Sequence, residues 1–116
     1  MSFWRKEIVD FALDRETAAA IDEQRAWILR EPANAQPYYH LAQLYRVAFK
    51  QEEALGLLLE AVRLDADFAE AHASLAEVYV MRDDYKAAWR HARLAEANGV
   101  RRAVEMLQRH GIDPAS

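Results

Sequence analysis

Apolar positions in the middle of this chain recur three and four residues apart, with large side chains giving way to small ones. Tyr38, Leu41, Ala42 and Tyr45 form one such stripe, and Ala54, Leu58 and Ala61 form the next. Spacings of i, i+3, i+4 and i+7 put these residues on one face of an α-helix. The order then returns at a constant distance. Leu41, Ala42 and Tyr45 recur as Leu75, Ala76 and Tyr79, and Ala54 and Ala61 recur as Ala88 and Ala95, each 34 positions on. A period of that length marks stacked units, none of which can bury its apolar face alone. It predicts an all-α chain with a binding role rather than a catalytic one.

With units beginning at residues 1, 35 and 69, position 4 is Trp4, Tyr38 and His72, and position 11 is Phe11, Tyr45 and Tyr79. Position 20 is Ala20, Ala54 and Ala88, and position 27 is Trp27, Ala61 and Ala95. Bulky groups on a first helix facing small ones on a second predict close-packed helix pairs. Helices are expected over roughly 2–13, 16–30, 35–48, 51–64, 69–82, 85–98 and 100–110. Asn34 and Asp84 are expected to cap the helices that follow them. Pro37 falls in a first turn, where it removes no needed donor. Asp67 with Glu70 suggests an acidic capping box, and Gly99 suits a left-handed helix end.

The last segment differs. Val100, Ala103, Val104 and Leu107 make one apolar stripe, while Arg101, Arg102, Glu105, Gln108 and Arg109 take the other faces. A repeat stack needs a terminal element with a polar outer side. The chain therefore divides into a degenerate unit at 1–34, units at 35–68 and 69–99, a capping helix at 100–111 and a tail at 112–116. All of this is one domain by length.

The motif Tyr38-x-x-Leu41-Ala42-x-x-Tyr45, followed by Ala54, Leu58 and Ala61, resembles the tetratricopeptide repeat family, and residues 69–98 repeat it. The junction Arg30-Glu31-Pro32-Ala33-Asn34-Ala35 is also similar to that family's inter-repeat link. The first unit departs from the pattern, since Glu7 stands where the family prefers leucine. Position 15, expected to be small, is Arg15, Phe49 and Asp83.

The resemblance implies a right-handed α-α superhelix of about three helix-turn-helix units plus a C-terminal capping helix. It implies a concave groove, lined by the first helices, that holds a peptide or helix of a partner protein. The positions that commonly face such a groove are here Arg5, Val9 and Leu13, then Gln36, Tyr39, Gln43, Arg46 and Val47, then Glu70, Ala73, Glu77, Val80 and Met81. An aromatic and basic end would then adjoin an acidic end with an apolar floor. The carboxylate clamp of chaperone-binding members is not matched. Its positions hold Arg5, Val9, His40, Glu70 and Ser74, and Glu70 would repel a carboxylate.

Composition narrows the function further. The chain has 116 residues, 53% of them hydrophobic, with three glycines, three prolines and no cysteine. Disulfides, thiolate metal sites and a cysteine nucleophile are thereby excluded. Net charge is −4, with nine acidic against two basic residues over 52–84, a poor surface for nucleic acid. The basic C-terminal set of Lys86, Arg90, Arg93, Arg101, Arg102 and Arg109 reads as a solvated face.

The four histidines are scattered in sequence, no HExxH frame exists, and no glycine-rich phosphate loop is present. No enzyme activity, cofactor or metal site is therefore expected. The start lacks signal-peptide order, and no apolar run approaches the ~20 residues of a membrane span. A cytoplasmic protein without membrane contact is expected.

Phe3, Trp4, Ile8, Val9, Phe11 and Leu13 place apolar groups on more than one face of the first helix. They raise two alternatives to a groove-binding adaptor. One is a self-associating structural or assembly subunit, such as a homodimer, that uses the N-terminal helices. The other is a small export or assembly chaperone.

Overall fold

The computed structural model describes the backbone of residues 2–115 and the side chains of residues 14–115. Among the described residues six helices follow in order: α1 (Ser2–Arg30), α2 (Ala35–Val47), α3 (Gln51–Leu64), α4 (Ala69–Met81), α5 (Tyr85–Ala97) and α6 (Arg102–Arg109). The described residues hold no strand. The all-α expectation is met.

One boundary departs from expectation. Two helices are predicted at 2–13 and 16–30, whereas α1 runs unbroken from Ser2 to Arg30. The stretch Asp14-Arg15-Glu16-Thr17-Ala18-Ala19-Ala20 contains neither glycine nor proline. Its arginine, glutamate and alanines are strong helix formers. Units two and three do break at this register, where Phe49 and Asp83 take left-handed φ values of 61° and 58°.

Those breaks share one closure. The Lys50 N–H donates to the Tyr45 carbonyl at 2.8 Å, the Asp84 N–H to Tyr79 at 2.9 Å, and the Val100 N–H to Ala95 at 2.9 Å. Each bond spans five residues and satisfies a carbonyl left open by a helix C-terminus. Gly99, at φ 99°, takes the left-handed position after α5, as expected.

The helix starts are capped at Asn34, whose Oδ1 accepts from the Gln36 N–H at 2.9 Å, and at Asp84, whose Oδ1 accepts from the Ala87 N–H at 3.1 Å. The expected box at Asp67 is not formed. Phe68 precedes α4 without a side-chain cap, and Asp65 Oδ1 accepts the Asp67 N–H at 3.1 Å. Packing decides that start, because the buried Phe68 ring lies 5.1 Å from the ring of Tyr39.

The core follows the large-against-small rule. Ala54, Leu58 and Ala61 of α3 are completely buried among Leu41, Ala42 and Tyr45 of α2 and Ala71, Leu75 and Val78 of α4. Ala88, Ala92 and Ala95 of α5 are equally buried against Ala73 and Ala76 of α4 and Ala103, Val104 and Leu107 of α6. Helix α4 therefore lies at the centre, with residues 71–76 all buried. Helix α6 closes the stack, its exposed side carrying Arg101, Arg102, Glu105, Gln108 and Arg109.

Candidate functional site

Helices α2 and α4 carry the described part of the predicted groove, and their polar side chains are joined in one network. Tyr39, Gln43 and Arg46 lie three and four residues apart on α2, hence on one face. The Gln43 Nε2 donates to the Tyr39 hydroxyl and to the Ser74 Oγ of α4, both at 3.1 Å. Its Oε1 accepts from Arg46 Nη1 at 3.3 Å.

Arg46 then reaches α4, pairing with Glu77 at 3.1 Å. Arg102 of α6 donates to Glu77 at 3.3 Å and pairs with Glu70. The network thus runs across three helices from an aromatic hydroxyl to a double carboxylate. Both carboxylates are already met by arginines, which neutralises the acidic end expected from sequence. Because these pairs remain partly exposed, each contributes no more than about 1 kcal/mol to stability.

Other predicted groove residues have separate fates. Val47 and Met81, equivalent positions on α2 and α4, are 70% and 65% exposed. They form an apolar rim beside the polar network. Val80 is half-buried and packs toward α5 and α6. Gln36 is exposed in the first turn of α2.

Ala73 corrects the sequence reading. It is fully buried against α5 and α6, so it is a packing residue rather than a groove contact. The reason is α6, whose docking covers that face of α4. Arg5, Val9 and Leu13 lie outside the residues whose side chains are described.

A second concavity lies at the other end. Ala20, Gln24 and Trp27 of α1 face His40, Gln43, Leu44 and Val47 of α2 across an open crevice of about 420 Å³. Trp27 stacks on His40 with ring centres 6.3 Å apart and donates its indole N–H to Glu31 at 2.7 Å. Gln24 keeps a buried Oε1 that has no hydrogen-bond partner. Along α1 from residue 14 onward no side chain is fully buried. Only Thr17, Ala20, Ile21, Gln24, Trp27 and Ile28 are partly covered.

Two histidines that are scattered in sequence meet in the interior. His72 and His91, 4% and 6% exposed, stack with ring centres 5.2 Å apart. His72 Nε2 lies 2.8 Å from the Ala66 carbonyl, which can only accept, so that nitrogen carries the proton. His72 Nδ1 is then the acceptor for the Nδ1–H of His91 at 3.0 Å. His91 Nε2 is left as a buried lone pair without a partner. Burial, and then the neighbouring His72 and Arg90, lower the His91 pKa to about 4. Position 4 was expected to pack, and His72 does. Its partner at position 23 carried no sequence signal, since Glu23 and Leu57 stand there in the other units.

The basic C-terminal set also has internal partners. Arg93 lies over the Trp89 ring at 5.5 Å, and Arg101 pairs with Glu96 at 3.3 Å. Among the described residues no three histidine, aspartate or glutamate side chains converge on a metal-sized site. No helix among them is long and apolar enough to cross a membrane.

Solved structures share this architecture. MamA 41-end from Desulfovibrio magneticus RS-1 matches over 82% of this chain and 53% of its own, at 26% identity and a TM-score of 0.65. The MamA RS-1 ArsTM double mutant matches over 94% of this chain and 56% of its own, at 25% identity and a TM-score of 0.64. The fold is a tetratricopeptide-type helical repeat. The chain spans about half the length of each of these structures. No protein-family model matches the sequence. No curated protein matches it either.

Proposed function

We propose that this chain is a non-catalytic protein-interaction module whose concave face receives a peptide or helix of a partner protein. The observation that carries this reading is the side-chain network that joins α2, α4 and α6. There Tyr39, Gln43, Arg46, Glu77 and Arg102 are held in fixed orientation by one another, beside the exposed Val47 and Met81. Pre-ordered polar groups bind at low entropic cost, and an exposed apolar rim supplies area to bury. The likeness to helical-repeat structures supports the same role. A chain without cysteine suits the reducing cytoplasm, where we place it.

The test is capture of partners from the native lysate by wild type and by a Tyr39→Ala/Arg46→Glu variant, followed by titration of the purified partner. Loss of at least tenfold in affinity, with circular dichroism unchanged, supports the groove. Equal binding by both proteins refutes it.

A second reading, self-association through the N-terminal end, is favoured by the open crevice between α1 and α2. In that reading the crevice is a seat for another copy's helix.

A further inference from the structure

The crevice between α1 and α2 is the open form of a seat that is filled one unit later. Shifted by 34 positions, its lining residues Ala20, Gln24, Trp27, His40 and Leu44 become Ala54, Leu58, Ala61, Ser74 and Val78. The first four of those are completely buried and Val78 is 2% exposed. They are covered because α2 packs against both α3 and α4. In the first unit the corresponding covering helix is missing from its place.

What fits such a seat is written in the helices that occupy the others. Helix α2 offers Tyr38, Leu41, Ala42 and Tyr45, and α4 offers His72, Leu75, Ala76 and Tyr79. Residues 2–13 carry the same positions as Trp4, Glu7, Ile8 and Phe11. Yet α1 is one helix from Ser2 to Arg30, so residues 4 and 20 lie on a single axis, ~24 Å apart at 1.5 Å per residue. Residues 2–13 cannot enter the crevice of their own chain without breaking that helix.

The polarity of seat and segment also agrees. Glu7 stands where the other units have Leu41 and Leu75, and Gln24 stands where they have Leu58 and Ala92. Both polar departures fall in the first unit. Gln24 is the side chain whose buried oxygen has no partner. Turned about its last bond, its amide offers an N–H to a carboxylate at the Glu7 position.

We infer that the crevice is filled by residues 2–13 of a second copy of this chain, in a reciprocal exchange of first helices. Exchange of an identical element is a low-cost route to a dimer, favoured when the connection between elements is too short to fold back. This inference rests on the self-association reading and deepens it. Arg5, Val9 and Leu13, the first third of the predicted groove, would then be supplied to each groove by the other copy. The groove is incomplete in a single chain.

The experiment uses the full chain. Static light scattering from ~5 to ~200 µM is expected to give twice the 13.4 kDa chain mass. A variant with four glycine and serine residues inserted after Asp14 lets residues 2–13 fold back, and is expected to be a monomer with unchanged helix content. Because the chain lacks cysteine, Phe11→Cys and Ala20→Cys proteins can be mixed, exchanged through denaturant and oxidised. A disulfide joining the two different chains is expected.

A monomeric wild type overturns the inference, and so does a dimer unaffected by the insertion. A monomer that still loses its partner on Tyr39→Ala leaves the groove reading standing while overturning the exchange. A dimer whose partner binding ignores Tyr39 does the reverse.

Discussion

His91 donates its Nδ1–H to the Nδ1 of His72 across 3.0 Å, inside the second of the two closed helix pairs. The Tyr79 ring also stacks on His91, with ring centres 5.5 Å apart. The bond needs a His72 Nδ1 without a proton, since a proton there would set two donors face to face, and burial of His91 disfavours a charge on its own ring. It ties the packing of α4 against α5 to pH.

The direction follows from the lowered pKa. With the folded His91 titrating at about 4 and an unfolded histidine near 6.5, the unfolded chain binds more protons between those values. Stability is then full above about pH 6.5 and is lost as pH falls toward 4, by roughly 2–3 kcal/mol. Urea midpoints measured from pH 7 to pH 4 should show this fall. His91→Leu, which copies Leu57 of the preceding unit, should flatten it. An equally steep fall in the variant would assign the effect to other groups.

Leu58 is completely buried between α2, α3 and α4. Leu58→Ala is expected to lower stability by about 2–5 kcal/mol, because the surrounding helices can close only part of the cavity. Ala54→Leu, at an equally buried site, should cost about 1–3 kcal/mol through overpacking. Chemical denaturation measures both. A near-neutral Ala54→Leu would mean that α2 and α3 pack less tightly than their burial indicates.

The two acidic helix starts should respond differently. Asp84 accepts a backbone N–H at the head of α5, whereas Asp67 makes no cap at the head of α4. Asp84→Ala should cost about 1 kcal/mol and Asp67→Ala only a few tenths. Comparable losses at the two sites would contradict the observed starts.

Phe49 combines a left-handed backbone, φ 61°, with 88% exposure. A non-glycine residue there costs about 1–2 kcal/mol, partly offset by glycine's greater freedom when unfolded. Phe49→Gly is therefore expected to raise stability by about 0.5–1 kcal/mol in a thermal melt. A loss instead would show that the Phe49 ring contributes a contact its exposure conceals.

The helix order from α2 onward, the two closed helix pairs and the closing role of α6 were legible from residue spacing. Alternation of Tyr and Leu with Ala encodes which faces meet, and Asn34, Asp84 and Gly99 encode where helices begin and end. These signals act over a few residues, so the local chain suffices to read them. The α2 face used in the proposed groove was legible, since Tyr39, Gln43 and Arg46 share one side by helical geometry. Its charge was not, because the acidic end is neutralised by Arg102, 32 residues from Glu70 in the chain.

Tertiary structure alone decided two things, each set by a neighbour distant in sequence. Ala73 is buried because α6 docks on it, and His72 finds His91 nineteen residues away because α4 and α5 pack face to face. The run of α1 was settled locally instead. The repeat asks for a turn near residue 15, while the residues there favour helix. Local propensity prevails at that point, whereas the turns at Phe49 and Asp83 each join two helices that pack together.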